Sequence, residues 1–498
     1  MVLPLVGMGQ SKLHSDKQGI IQIDITKRYQ TIDNFAASDA WSCQFVGNWP
    51  DVKRNAIADL LFSRRMKPNG QPEGIGLSMW RFNIGAGSSQ QAKSGIKDEW
   101  RRTEGFLQSD GSYDWNKQSG QLWFLQAAKQ RGVQQFLGFC NSPPVQLTSN
   151  KKAFADSSKP NLSTAKFIAF ADFLTTVTQN VHAKTGVRFN YLSPVNEPQW
   201  DWSNGAQEGT PFTNQDIAGI AKALNTSLLQ NKLATKITLA EAGDYKYLSG
   251  EADKPDKGNQ IQAFLSPQST TYLGDLKTIE PLIAGHSYFS TSPYPEAENR
   301  RKELASKVAS VPNLRFWQSE YCILGDNNGE IDGRKRDLGI DAAIYLAKVI
   351  HNDLVNANAS SWQWWLAVSP YDYKDGLIYI EKKKADGNFY PSKMLWTLGN
   401  YSRFILPGAY RVEATEGNTV EKHWVSSYLN ETTKELITVV INEASKPKTL
   451  TLQIKGAENK NLRLYTTSAT KDLEPGSIEN GPIILPEKSI TTIIADLK

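Results

Sequence analysis

The sequence predicts an α/β protein, a (β/α)8 barrel with an attached side β-sandwich formed by the C-terminal region plus an N-terminal strand. Three observations carry that assignment. Eight short apolar runs alternate with segments of helical periodicity between residues 31 and 400. Residues 19–30 and 401–498 show the period-2 alternation of antiparallel sheet instead. Two of the eight runs close on glutamates, Glu197 and Glu320, at the strand ends where a barrel concentrates its functional groups.

Taken in chain order, residues 1–18 read as a signal remnant or disordered leader. Val2-Leu3-Pro4-Leu5-Val6 resembles the apolar part of a signal peptide without its basic start, so an exported protein with a truncated leader is expected, whether periplasmic, cell-surface or secreted. Ile21, Ile23 and Ile25 then alternate with polar neighbours as in a half-exposed strand. The barrel strands are expected at 34–41, 76–84, 135–140, 189–195, 236–240, 284–289, 314–319 and 361–368. Helical segments fall at 163–182, 214–231 and 338–355, and the polar passages 93–120 and 243–268 read as loop insertions. After Pro407-Gly408, strands are expected from Val420, at 423–427, 436–442, 449–454, 462–466 and 489–495, completing a sandwich of 19–30 with 401–498.

The bulk numbers set limits. At 498 residues the chain exceeds one ordinary core. A net charge of +5 is small for this length, and Lys382-Lys383-Lys384 is the only compact basic run, which argues against nucleic acid and membrane surfaces as partners. No run of eighteen apolar residues exists to span a bilayer. Cys43, Cys140 and Cys322 lack metal-ligand spacing, and their odd number leaves at least one thiol free, so they read as small buried hydrophobes. Neither metal nor cofactor is expected, and the chain is expected to be a monomer.

The strand ends are unusually polar. They offer Arg81 and Asn83, Asn141 and Ser142, Asn196 and Glu197, His286 and Tyr288, Glu320, and finally Trp362 and Trp364. Carboxylates reaching inward from the fourth and seventh strands could bracket a glycosidic bond, one protonating the leaving oxygen and the other attacking or activating water. A carboxyl separation of roughly 5–5.5 Å would mean retention of configuration, and about 6.5–9.5 Å inversion. Arg81 would hold a neighbouring carboxylate ionised, Asn196 could bond a sugar hydroxyl, and Tyr288 could hold the second oxygen of an attacking carboxylate. Trp362 and Trp364 share one face of their strand and Trp365 takes the other, so one of the first two could stack on a sugar ring, with Trp41 a weaker candidate.

The segment from Phe35 to Ser42, Asn196-Glu197-Pro198, Trp317-Gln318-Ser319-Glu320-Tyr321 and Trp362-Gln363-Trp364-Trp365 together resemble glycoside hydrolase family 30 of clan A, in order across residues 20 to 498. The resemblance implies retaining double displacement on a carbohydrate substrate, without metal, with Glu197 as general acid/base and Glu320 as nucleophile. It also implies that Arg81, Asn196, His286, Tyr288 and Trp364 line the subsite beside the cleaved bond. The passage from Phe139 to Pro144, which contains Asn141, resembles the branch containing endo-β-1,6-galactanases, so β-1,6-galactan is the first expected substrate. Other readings are a hydrolase of β-1,6-glucan, xylan or a glucosylceramide-like glycan, or an inactive carbohydrate-binding barrel. Ala36-Ala37 departs from the family's usual glycine, and no Arg, Tyr and Ser cluster follows the eighth strand to clamp a glucuronic acid branch.

Overall fold

The computed structural model describes residues 19–416, 424–476, 478 and 482–498. The expected leader and the strand residues expected at Val420 and His423 lie outside these. Strand β1 spans Gly19–Thr31, and the barrel strands are β2 (Asn34–Ser38), β3 (Met79–Asn83), β4 (Gln135–Phe139), β5 (Tyr191–Ser193), β6 (Lys236–Ala242), β7 (Ile279–His286), β8 (Arg315–Glu320) and β9 (Ser361–Ser369). Each pairs in parallel with the next, and β9 pairs with both β8 and β2, which closes the ring. With helices outside the ring and side chains filling it, both faces of the strands are covered, and β2, β3 and β9 are buried throughout.

The helices pack outside this ring. Phe167–Thr185 buries Phe167, Phe170, Phe173, Leu174, Val177 and Val181, a stripe at helical spacing, and stops at Gly186, whose φ of 70° suits a residue without a side chain. Asn214–Gln230 starts with a capping box in which Thr213 and Asp216 each satisfy the other's backbone N–H.

Strand β7 begins five residues before the expected start. Glu280-Pro281 falls where the β6–β7 register slips, from Ile237 opposite Ile279 to Leu239 opposite Ile283. Proline is tolerated there because the ladder is already broken. Two strands absent from the expected set, β10 (Gly376–Ile380) and β11 (Phe389–Pro391), extend the barrel sheet beyond β9.

The remaining strands are β12 (Tyr410–Glu416), β13 (Trp424–Asn430), β14 (Glu435–Asn442), β15 (Lys448–Lys455), β16 (Asn459–Thr467), β17 (Glu474–Gly476), β18 (Ile483–Leu485) and β19 (Ser489–Leu497). Together with β1 they form a nine-stranded ladder in the order β17-β16-β19-β14-β13-β12-β1-β15-β18. Leu464 near one end and Leu485 at the other share a core with Ile21, Ile23, Val412 and Val440, so the ladder folds over on itself as a sandwich. The outer face of this side sheet packs on the barrel. Asn400 donates to the Tyr465 carbonyl and the Thr492 hydroxyl, and Tyr428, Ile437 and Ile490 belong to the barrel's apolar cluster.

A buried polar knot fixes one wall. Asp353 accepts from Arg301 Nε at 2.7 Å and from the Tyr245 hydroxyl, the Ser287 hydroxyl and Trp362 Nε1 at 2.9 Å each, all inside the protein. Removing one partner leaves the other's charge buried and unpaired. Asp353→Ala is expected to destabilise the fold by about 3–5 kcal/mol, read as a lower urea midpoint.

Candidate active site

Glu197 lies just past β5 and Glu320 ends β8. Glu197 has a φ of 42°, and its N–H donates to the Glu241 carbonyl at 2.9 Å, which pins the residue at the barrel mouth. Three β-bulges shape the rest of that mouth. Opposite β7, Ala240 pairs with Ala284 and Ala242 with Gly285, leaving Glu241 as the extra residue with a φ of 47°. Gly285 pairs with Gln318 but His286 with Glu320, which leaves Ser319 over. Ala37 pairs with Trp364 but Ser38 with Leu366, which leaves Trp365 over. Each extra residue redirects the side chains around it.

The resulting cluster holds three carboxylates and two cations. Arg81 donates through Nη1 and Nη2 to Glu320 Oε2 at 3.4 and 3.3 Å, and the Tyr288 hydroxyl donates to Glu320 Oε1 at 3.4 Å. His286 Nδ1 lies 3.0 Å from Glu197 Oε1 and 3.6 Å from Glu320 Oε1, and its Nε2 lies 3.3 Å from Glu241 Oε2. Ser319 donates to that same Glu241 oxygen at 2.6 Å. Both ring nitrogens of His286 thus face carboxyl oxygens, an arrangement that favours a proton on each.

The electrostatics agree. Burial alone would lower His286, but Glu320, Glu197 and Glu241 outweigh it and raise it to about 10. Burial pushes Glu320 up to about 7, against the pull of His286 and Arg81 and with the repulsion of Glu197 and Glu241. Burial would also raise Glu241, yet His286, Arg81 and Ser319 hold it below the ordinary carboxylate range. Burial, helped by Cys322 and Glu320, pushes the Tyr288 phenol well up, so it stays a donor.

Oxygens of Glu197 and Glu320 and a nitrogen of His286 lie within 4.8 Å of one another, a cluster of metal-ligand dimensions. The donor chemistry does not suit a metal ion. A histidine protonated on both nitrogens has no lone pair to give, and Arg81 already neutralises Glu320.

A cleft of about 470 Å³ opens over the two glutamates, lined also by Tyr288, Trp200, Trp202, Gln207, Phe289, Leu324 and Trp365 and by the polar stretch Asp326, Asn327 and Asn328. Trp202 Nε1 donates to the Glu197 carbonyl at 3.2 Å, so an aromatic wall is built onto the loop that carries Glu197. Phe289, 70% exposed, meets Trp200 edge-to-face at 5.6 Å. No described residue lining the cleft is Lys or Arg.

Of the residues singled out from the sequence, Glu197, Glu320 and Tyr288 line the cleft, and Arg81 and His286 stand behind and touch the carboxylates. Asn196 and Asn141 are buried, with Asn196 Oδ1 and both amide atoms of Asn141 unpaired by protein groups. Trp364 is corrected. Its exposure is 0%, its Nε1 donates to the carbonyls of Leu366 and Asp375, and it does not reach the cleft. Trp362 and Trp364 share a face as expected, but it is the outer one, where Trp362 Nε1 donates to Asp353 of the helix Ile340–Val355, and Trp365 on the other face lines the cleft. Trp41 is also buried, and it braces Trp365 edge-to-face at 5.4 Å. Trp365→Phe is expected to raise KM severalfold and Trp365→Ala to lower kcat/KM by about 10-fold, since a lost ring contact is worth about 0.5–1.5 kcal/mol. Steady-state kinetics beside thermal unfolding checks this.

Glu241 directly follows the expected strand 236–240 and is not among the residues singled out from the sequence. The criterion that picks out Glu197 and Glu320, a glutamate where an apolar run gives out, points to it directly.

A closed parallel barrel whose C-terminal mouth presents paired glutamates in an aromatic cleft defines a barrel glycoside hydrolase. The chain belongs to O-glycosyl hydrolase family 30, whose sequence model matches residues 18–379. An endo-β-1,6-galactanase of Hypocrea rufa is 25% identical over 386 residues, covering 74% of this chain and 71% of that protein. A glucuronoxylanase of Bacillus subtilis is 22% identical over 364 residues, covering 71% of this chain and 72% of its own. The crystal structure of a conserved exported protein from Bacteroides fragilis superposes with a TM-score of 0.88 at 35% identity, over 95% of this chain and 100% of that one.

Proposed function

We propose that this glycoside hydrolase cleaves a neutral β-linked polysaccharide with retention of configuration, β-1,6-galactan first. The observation that carries the mechanism is the approach of Glu197 and Glu320, whose oxygens come within 4.8 Å, in keeping with double displacement rather than with a water held between two carboxyls. Glu320 is the nucleophile, because Arg81 and Tyr288 touch it and hold negative charge there. Glu197 is the acid/base, beside the aromatic wall that would receive the leaving sugar. In the first step Glu320 bonds to the anomeric carbon while the glycosidic bond breaks and the Glu197 proton passes to the leaving oxygen. In the second, Glu197 takes a proton from water, which bonds to that carbon as the Glu320 ester breaks. Asn196 and Asn141, with unpaired amide atoms, are assigned to substrate hydroxyls.

Galactan is favoured by the likeness to the galactanase over 386 residues, and the lack of Lys or Arg among the described residues lining the cleft disfavours a glucuronate branch. Product sizes from β-1,6-galactan, β-1,6-glucan, xylan and glucuronoxylan test the substrate, and release from xylan alone would sink the galactan reading. Proton NMR of the first product tests the mechanism; an α anomer appearing first excludes retention.

Burial raises Glu320 to about 7 against the pull of His286 and Arg81, and this group must lose its proton before it can attack. kcat/KM is therefore expected to rise with pH through about 7 as Glu320 ionises, and a profile flat from pH 5 to 9 contradicts the assignment.

The chain is further inferred to be exported, acting on polysaccharide outside the cell, and to be a monomer. Among the described residues no helix is long and apolar enough to cross a membrane. Fractionation of the producing cells checks the first point, and light scattering, with 55.5 kDa expected, the second.

A further inference from the structure

His286 lies between all three carboxylates of the site. Its Nε2–H points to Glu241, held in turn by Ser319, and its Nδ1–H faces Glu197 at 3.0 Å and Glu320 at 3.6 Å. The imidazole is fully buried and cannot turn away without leaving the buried Glu241 carboxylate to Ser319 alone. We propose that Glu241 is a positioning residue that fixes His286 as a doubly protonated donor, whose Nδ1–H serves Glu320 while that group carries the charge and Glu197 once the glycosyl-enzyme has formed.

This rests on the roles given above to Glu197 and Glu320. In double displacement the negative charge changes place. Before the first step it is on Glu320. Once Glu320 is esterified and Glu197 has given its proton to the leaving oxygen, it is on Glu197. The second step returns it, as Glu197 takes the water proton and the ester breaks. His286 keeps both of its protons throughout and changes only the direction of one hydrogen bond. Arg81 cannot do this, since it reaches Glu320 alone. A cation between the two carboxylates stabilises either charge state without rearranging, which is preorganisation in a dry site. Glu241 never touches substrate; its work is to keep the second nitrogen of His286 protonated and the ring in one orientation, as a carboxylate behind a histidine does.

The charged and titratable groups around His286 are Glu197, Glu241, Glu320 and Arg81, together with the Tyr288 phenol, whose ring lies 6.0 Å from the imidazole and whose hydroxyl is 3.6 Å from Cys322 Sγ. Glu241 helps keep the second proton on His286, and once His286 is neutral Glu320 loses the cation that most favours its ionised form.

The test is Glu241→Gln against Glu241→Asp and Ser319→Ala. Glu241→Gln is expected to lower kcat/KM at the optimum by about 10- to 100-fold and to move the acid limb, on which Glu320 ionises, up by about one pH unit. Glu241→Asp keeps the charge, so its limb stays near that of the native enzyme even if its rate falls. Nitrogen-15 spectra of histidine-labelled protein give a readout that does not depend on turnover. With five histidines in the chain, assignment by His286→Asn is direct. The native enzyme at pH 7 is expected to show both His286 nitrogens protonated, and Glu241→Gln a neutral ring with one. An unmoved limb in Glu241→Gln, or a neutral His286 in the active native enzyme, overturns the proposal. Activity surviving in Glu320→Gln would instead remove the roles on which it rests, whatever the state of His286, so the two failures are distinguishable.

Discussion

Glu320→Gln is expected to lower kcat/KM by at least about 10⁴-fold while the protein folds normally. The amide keeps the volume and one acceptor oxygen but is no nucleophile, and it no longer balances Arg81 and His286. Removing a charged partner from a buried cluster also changes stability, so circular dichroism and a melting curve belong beside the kinetics. A sharper version uses Glu320→Ala with azide and an aryl β-glycoside of the cognate sugar. With the carboxylate gone, azide can enter from the face opposite the leaving group and yield the α-glycosyl azide. Recovery of a β-azide from this variant would show that Glu320 is not the nucleophile.

The second large effect belongs to Glu197, and it depends on the leaving group. A sugar alkoxide leaves poorly without a proton, so Glu197→Ala is expected to reduce cleavage of the polysaccharide by about 10²–10⁴-fold. A dinitrophenolate needs no proton. On such a substrate the first step should survive, the second should stall for want of a base, and a burst of phenolate should precede a slow steady rate. Azide needs no base either. It should relieve the stall and give the β-azide, the anomer opposite to that from the Glu320 variant. Equal losses on good and poor leaving groups would argue that Glu197 merely holds His286 in place.

The barrel was legible because closed parallel strands must be apolar on both faces, and such runs stand out between amphipathic helices. Glu197 and Glu320 were legible as polar residues at the ends of two of those runs. What failed was the choice of face and the placing of bulges. Trp362 and Trp364 do share one face, but it meets the outer helices, and nothing in Trp362-Gln363-Trp364-Trp365 says which face meets the cleft. Ala240 and Glu241 both have positive φ, a conformation their residue types do not call for. These bulges exist because a closed ring must hold its neighbours in register, so they are dictated by residues far away in the chain. The cleft walls were hidden for a related reason. Phe289 and Leu324 come from different loops, and only the closed barrel brings them together.

The place of β1 bears on how this protein is made. It pairs with β12 on one side and with β15 on the other, so the whole barrel is an insertion between one strand of the side sheet and the rest. During synthesis at roughly 5–20 residues per second, β1 therefore waits on the order of 20 seconds to more than a minute for its partners. Through that interval Ile21 and Ile23 have no sheet to enter, and the barrel flank that later meets Tyr428 and Ile490 is bare. The side sheet is thus the last part to close, and a ribosome stalled after the barrel holds a chain with two unsatisfied apolar surfaces. A gene cut back to the barrel alone would make that transient exposure permanent.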